Sequence, residues 1–223
     1  MTVPTTAAAP IKRRLLRDEA YEQILGAILD GTLEAGEELH ADALQTWLGT
    51  SRTPLREALT KLAEDGVVEL VAHKYTRVAP LDFRVINEGM FASGVLHEFA
   101  ARQVVGKMDA VNLKELRAFA KAAATAQKKG DIVALGPAIR DFFLVFEQAT
   151  GNKVLVDTVE SLNLQLLRFL TPREELLDTG LIVEQITRIA EAAESGDAQR
   201  TGDLIHALYE PTRRNFLTVY RDM

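Results

Sequence analysis

The sequence predicts a mainly α-helical protein in which three helices and a β-hairpin are followed by an all-α bundle of six or seven helices. Two patterns lead to this fold class. Up to residue 80, three stretches with apolar residues at helical spacing precede two short runs rich in valine. Beyond residue 80 we find no strand-like alternation, and helical periodicity is interrupted by glycine, proline and asparagine.

The first two helices are predicted by the spacing of their apolar residues. The stripe of the first helix comprises Tyr21, Ile24, Leu25 and Ile28. The stripe of the second comprises Leu39, Leu44 and Leu48. Gly31 ends the first helix, and Gly49-Thr50 supplies a tight turn after the second.

The third helix is predicted to begin within the segment SRTPLREAL (51–59). Ser51 and Thr53 are candidate N-caps, and Pro54 fits the first turn, where a missing N–H costs no hydrogen bond. One apolar face is formed by Leu55, Ala58, Leu59 and Leu62. Arg52 and Arg56 lie one turn apart on another face, so the helix N-terminus is suited to receive an anion.

A hairpin is predicted after the third helix. Residues 67–71 and 76–79 are typical of short strands, and residues 72–75 form the tip between them, with basic residues. Three helices with a helix-turn-helix and a terminal hairpin form a winged helix-turn-helix.

Composition limits the classes of protein. The chain of 223 residues contains no cysteine, which excludes disulfides and thiolate metal sites and suits the cytoplasm. It has no apolar run long enough for a membrane span. The net charge of −6 lowers the expected non-specific affinity for DNA, although recognition depends on the local field.

Three parts are expected along the chain: a disordered tail (1–10), the winged helix-turn-helix (11–80) and a helical domain (81–223). The predicted helices of the last part are 84–107, 110–129, 132–149, 152–169, 178–195 and 198–220, with a short extra turn at 171–177.

The N-terminal part resembles the GntR superfamily of bacterial transcription regulators. The resemblance covers residues 15–80 and rests on the ordered series "LxxxxLG", SRTPLREAL, "LxxxGVV", a basic hairpin and "RVAP". It implies DNA contacts by Ser51, Arg52, Thr53 and Arg56 in the major groove and by His73 and Lys74 at the wing tip. Two residues depart from the family pattern: Tyr75 replaces a usual glycine, and Asp42 replaces a basic residue of several relatives.

The C-terminal part resembles the FCD effector domain of the FadR-type branch of that superfamily. FFLVFEQATGNKVL (142–155) is similar to "FHxxLxxxSGNxxL", and QITRIAEAAESGDA (185–198) to "EHxxIxxAIxxGDA". The resemblance implies a homodimer and a pocket for a small-molecule effector.

Many FCD domains hold a metal through one Asp and three His. Here those positions fall on Ile139, Phe143, Ile186 and Leu208, which have no lone pair to donate, so we expect neither a metal nor another cofactor. Either the pocket accepts an apolar effector, such as an acyl or aromatic compound, or its own side chains fill it. The polar candidates for the effector pocket are His97, Arg140 and Gln185, with Arg102, Asn163 and His206 nearby.

The sequence therefore predicts a dimeric transcriptional repressor that binds an inverted-repeat operator in double-stranded DNA and responds to a small effector. The alternative is a helical ligand-binding or interaction protein with an impaired winged domain, for which Asp42 and Tyr75 are the arguments. No enzyme is expected, because the chain has no GxSxG, HExxH or glycine-rich phosphate loop.

Overall fold

The computed structural model describes residues 16–72, 74–170 and 178–220, the last ten by their backbone alone. In this part of the chain the elements are α1 (Leu16–Leu29), α2 (Ala41–Leu48), α3 (Arg52–Glu64), β1 (Val68–Val71), β2 (Tyr75–Val78), α4 (Phe83–Val104), α5 (Ala110–Lys129), α6 (Ile132–Ala149), α7 (Lys153–Leu170), α8 (Thr179–Glu194) and α9 (Ala198–Tyr220). The predicted fold class is confirmed. The predicted turn at 171–177 and the tail lie outside the described residues.

The N-terminal unit has one apolar core beneath its three helices and its hairpin. Ile24 of α1, Leu55 and Leu62 of α3 and Val67 are at most 2% exposed and pack in the same cluster. Gly49 ends α2 in the left-handed conformation (φ 60°), which sets the turn into α3. Helix α3 is thereby held against the core along its apolar face.

The two strands form an antiparallel hairpin that pairs Val68 with Val78 and Val71 with Tyr75. Tyr75 therefore begins β2 instead of lying in the turn, where the sequence pattern had suggested it. The short segment before α2 joins the same sheet, since Leu39 N donates to Thr76 O at 2.7 Å. The wing is thus fixed to the helix-turn-helix by backbone hydrogen bonds.

Aspartates cap most helices of the bundle. Asp82, Asp109, Asp131 and Asp178 each accept hydrogen bonds from the first-turn amides of the helix that follows, α4, α5, α6 and α8 respectively. Such caps satisfy amide groups that the helix itself leaves unpaired, and their negative charge interacts favourably with the N-terminal end of the helix dipole. The bundle core includes Phe142, Phe146, Val159 and Ile205, and α4 packs along α9.

Helix α7 connects the bundle with the winged unit. Leu164 packs against the winged core, and Gln165 Nε2 donates to Asp65 O, at the C-terminus of α3, at 3.2 Å. Arg168 is 3% exposed and donates to the backbone oxygens of Gly66 (3.5 Å) and Ala79. Burial lowers the pKa of Arg168 to about 10, so it remains charged at neutral pH.

Within the described residues, no helix is both long and apolar enough to cross a lipid bilayer.

Candidate functional site

The N-terminal turn of α3 presents four predicted contact residues to solvent. Ser51, Arg52, Thr53 and Arg56 are exposed, while the opposite face of the helix is buried. Ser51 occupies the N-cap position with extended backbone, but its side chain makes no capping hydrogen bond. Thr53 lies inside the helix and is not its cap. The hydroxyl groups and the arginines are therefore all open to solvent at the N-terminal end of the helix, where free first-turn amides suit a phosphate.

Asp42 of α2 lies beside this surface. Its Oδ1 is 3.6 Å from Arg52 Nη2, and both side chains are more than 80% exposed. An ion pair this exposed contributes about 0–1 kcal/mol. Arg52 can therefore exchange Asp42 for a DNA phosphate or a base edge at little cost.

The tip of the wing adds one described basic residue. Lys74 is exposed in the turn and donates its N–H to Val71 O at 3.0 Å. His73 lies outside the described residues. The Tyr75 ring lies under the Arg77 guanidinium at 4.5 Å, and Arg77 Nη2 is 2.7 Å from Glu69 Oε2. Tyr75 is thus held on the face of the hairpin by its neighbours.

A cavity of about 120 Å³ lies inside the bundle, between α4, α6, α7, α8 and α9. Its walls are mainly apolar, with Met90, Leu135, Ile139, Phe143, Leu166 and Leu208 among them. Polar side chains come from Arg140, Asn163, Thr179 and Tyr209. Four of the seven predicted effector-pocket residues belong to this lining: Ile139, Arg140, Phe143 and Leu208.

The four residues that the resemblance places at the family's metal-ligand positions pack in one part of the bundle. Phe143, Ile186 and Leu208 are buried in one cluster, and Ile139 packs against it. Their side chains are hydrocarbon and do not fit a metal ion. Among the described residues, no group of three His, Asp or Glu side chains is arranged to hold one.

His97, Ile186 and Gln185 are not part of the cavity lining formed by the described residues. His97 is 1% exposed, stacks on Phe143 with ring centroids 4.5 Å apart, and its Nδ1 lies 2.8 Å from Glu147 Oε1. Ile186 is fully buried in the core cluster. Gln185 accepts a hydrogen bond from Arg188 at 3.5 Å. His97 therefore supports the cavity wall from behind.

Two functional candidates emerge only from the structure. Tyr209 lines the cavity and contacts both Phe143 and His97, and burial together with the Glu147 carboxylate raises the pKa of its hydroxyl. Arg168 spans the two units. An arginine within the apolar run LLRFL (166–170) is the available sign, but its partners are about 90–100 residues away in sequence.

Of the other polar neighbours, Arg102 is bonded to Glu98 and Asp203 at 2.7–3.1 Å, and His206 Nδ1 lies 3.2 Å from Glu98 Oε2. They form a surface network of α4 and α9, and neither belongs to the cavity lining given by the described residues.

Family models match both units. The model of the "Bacterial regulatory proteins, gntR family" matches residues 16–78, and the "FCD domain" model matches residues 91–210, more than half of the chain.

Curated relatives carry names of transcription regulators. An "Uncharacterized HTH-type transcriptional regulator" of Mycobacterium tuberculosis is 31% identical over 47% of this chain and 48% of its own length, so the chain matches about half of that relative. The "Probable D-xylose utilization operon transcriptional repressor" of Paenarthrobacter nicotinovorans is 24% identical over 85% of this chain and 83% of its own. The "Glc operon transcriptional activator" of Escherichia coli is 30% identical over 68% of this chain and 67% of its own length.

Solved structures share the fold. Escherichia coli McbR/YncC superposes with a TM-score of 0.76 at 21% identity over 94% of this chain and 99% of that one. A GntR transcriptional regulator from Rhodococcus superposes with a TM-score of 0.77 at 19% identity over 92% of this chain and 99% of that one. With both of its units matched by family models, the chain belongs to the gntR family of bacterial regulatory proteins and carries an FCD domain.

Proposed function

We propose that this chain is a homodimeric, non-enzymatic transcriptional repressor of the cytoplasm, which binds an inverted-repeat operator and is released by a small effector. The single observation that carries the proposal is the N-terminal turn of α3, where Ser51, Arg52, Thr53 and Arg56 are exposed together above a buried apolar face. That arrangement suits a helix placed in the major groove.

The contacts divide by chemistry. Arg52 and Arg56 would bind base edges or phosphates, while Ser51, Thr53 and the first-turn amides would bind phosphate oxygens. Lys74, with His73, would contact the backbone or the minor groove from the wing. Phosphate contacts position the protein and base contacts select the sequence.

The exposed face of α4 supports a homodimer. Phe91, Val95 and Phe99 recur every four residues and are 56%, 49% and 53% exposed. Contiguous exposed apolar residues of this kind usually mark a surface that binds another molecule. A second copy of this chain is the occupant that an inverted repeat requires, because each half-site needs its own recognition helix.

Helix α7 supports a link between effector and DNA. Asn163 and Leu166 line the cavity, whereas Gln165 and Arg168 bond to the winged unit. An effector that prefers one position of α7 would shift the placement of α3, provided that its affinity differs between the two arrangements. The effector site proposed here uses no metal.

The test is selection of a random DNA duplex library by the purified full-length chain. We expect enrichment of an inverted repeat by the wild type and its loss in Arg52→Ala, with Arg200→Ala, an exposed arginine of α9, as the matched control. Failure of the wild type to enrich any sequence would contradict the proposal. Ligand binding without DNA binding would favour the alternative, a helical ligand-binding protein with an impaired winged domain, which the Asp42–Arg52 contact would then explain.

A further inference from the structure

Asn163 places an unpartnered donor in the wall of the cavity. The residue is 6% exposed and belongs to the lining, and its Nδ2 has no hydrogen-bond partner among the described residues. Buried polar groups in folded proteins are nearly always hydrogen-bonded, and an exception in a cavity indicates a missing acceptor. The acceptor is expected to come from whatever occupies the cavity.

The one cation in the described part of the lining is already compensated. Arg140 Nη2 and Nε lie 2.6 and 2.8 Å from Asp141 Oδ1, the carboxylate of the next residue. A carboxylate ligand would lose its hydration on entering the cavity, and the Arg140 charge that could compensate for this loss is already paired with Asp141. Because burial of an unpaired charge is much more costly than burial of a neutral polar group, the site favours an uncharged ligand.

The size of the cavity restricts the ligand further. An apolar protein cavity of about 150 Å³ holds one benzene molecule. The present cavity, about 120 Å³ and mainly apolar, is of the same order. It fits one small ring, or a short chain, that carries a small polar group.

We propose that the effector is a small uncharged molecule with an apolar body and one carbonyl-type acceptor, which receives a hydrogen bond from Asn163 Nδ2. This inference rests on the proposed function of the cavity as the effector site. It makes Asn163 the residue that determines specificity, and the apolar side chains of Ile139, Phe143 and Leu208 hold the body of the ligand.

Three small probes of nearly the same shape test the inference: butanone, which is neutral with a carbonyl; 2-methyl-1-butene, in which a methylene replaces the carbonyl oxygen; and propionate, which is charged. Their binding to isotope-labelled full-length protein is followed by amide chemical shifts at neutral pH. Wild type should bind butanone about threefold to tenfold more tightly than 2-methyl-1-butene, the range expected for one net hydrogen bond, and propionate most weakly. Asn163→Leu should abolish or reverse the preference for butanone.

A second variant, Asn163→Ala, adds no bulk and should lose the same preference if the leucine variant does not fold. Tightest binding of propionate, an unchanged preference in both variants, or no shift of cavity residues with any probe would overturn the inference. DNA binding by wild type and Asn163→Ala, measured in the absence of any probe, distinguishes the two failures. A chain that binds DNA but ignores the probes refutes only the ligand assignment, whereas loss of DNA binding by wild type refutes the proposed function.

Discussion

Arg168→Met tests whether α7 holds the winged unit in place. The two closer hydrogen bonds of the guanidinium, to Ala79 O and to Gln165 Oε1, each contribute about 1.5–3 kcal/mol as bonds to a charged group. Burial offsets part of this, because a pKa lowered from 12.5 to about 10 corresponds to about 3 kcal/mol of desolvation. Methionine removes both the hydrogen bonds and the desolvation of the charge. It also leaves the buried Ala79 oxygen without this donor, which costs about 1–3 kcal/mol of stability.

These contributions leave a net loss of about 1–6 kcal/mol, and we therefore expect Arg168→Met to destabilise the protein by about 3 kcal/mol. Urea unfolding followed by circular dichroism measures the free energy, and hydrogen exchange locates the loss at the amides of residues 66–79. The control is Arg188→Met on α8, an exposed arginine with one 3.5 Å bond to Gln185. A change in the free energy of unfolding no larger than that of the control would refute the role given to Arg168.

Two further predictions concern the core and the dimer. Replacement of Leu62, which is fully buried on the core face of α3, by alanine should cost about 3 kcal/mol of unfolding free energy, and a loss below about 1 kcal/mol in urea unfolding would show that the winged core is placed wrongly. Val95→Glu combined with Phe99→Glu should convert a dimer to monomers, because two carboxylates would enter the proposed apolar interface; sedimentation analysis that finds an unchanged dimer would exclude this face of α4.

Helix boundaries were predictable wherever a local residue determines them. The predicted limits of α5 agree with the structure, because Asp109 caps its start and Gly130 ends it in the left-handed conformation (φ 66°). Helix α4 was expected to reach residue 107 but ends at Val104, because the backbone leaves the helical region at Val105 (ψ 133°) and continues into the positive φ of Gly106 (89°). Local chemistry of this kind can be identified within one turn of the chain.

The cavity and its partners were less predictable because they depend on side-chain directions across five helices. Phe143 lines the cavity, while Ile186, at an equivalent family position, is enclosed in the core. Whether such a residue lines the cavity or lies in the core depends on the rotation of its helix by part of a turn. The periodicity of apolar residues in the sequence does not determine that rotation. Among the described residues Asn163 Nδ2 has no hydrogen-bond partner, whereas Arg168 reaches Ala79, and both are likewise consequences of tertiary packing.

The central claim is that the N-terminus of α3 binds DNA. Its most direct test is fluorescence anisotropy of a labelled duplex from the selection, titrated with wild type, Arg52→Ala and Arg200→Ala at several salt concentrations. Wild type should lose affinity steeply as salt rises, because phosphate contacts release counterions. Arg52→Ala should weaken binding by about 1–3 kcal/mol and relax the sequence preference, while Arg200→Ala should resemble wild type. Salt-independent binding by wild type, or unchanged affinity and preference in Arg52→Ala, would contradict the claim.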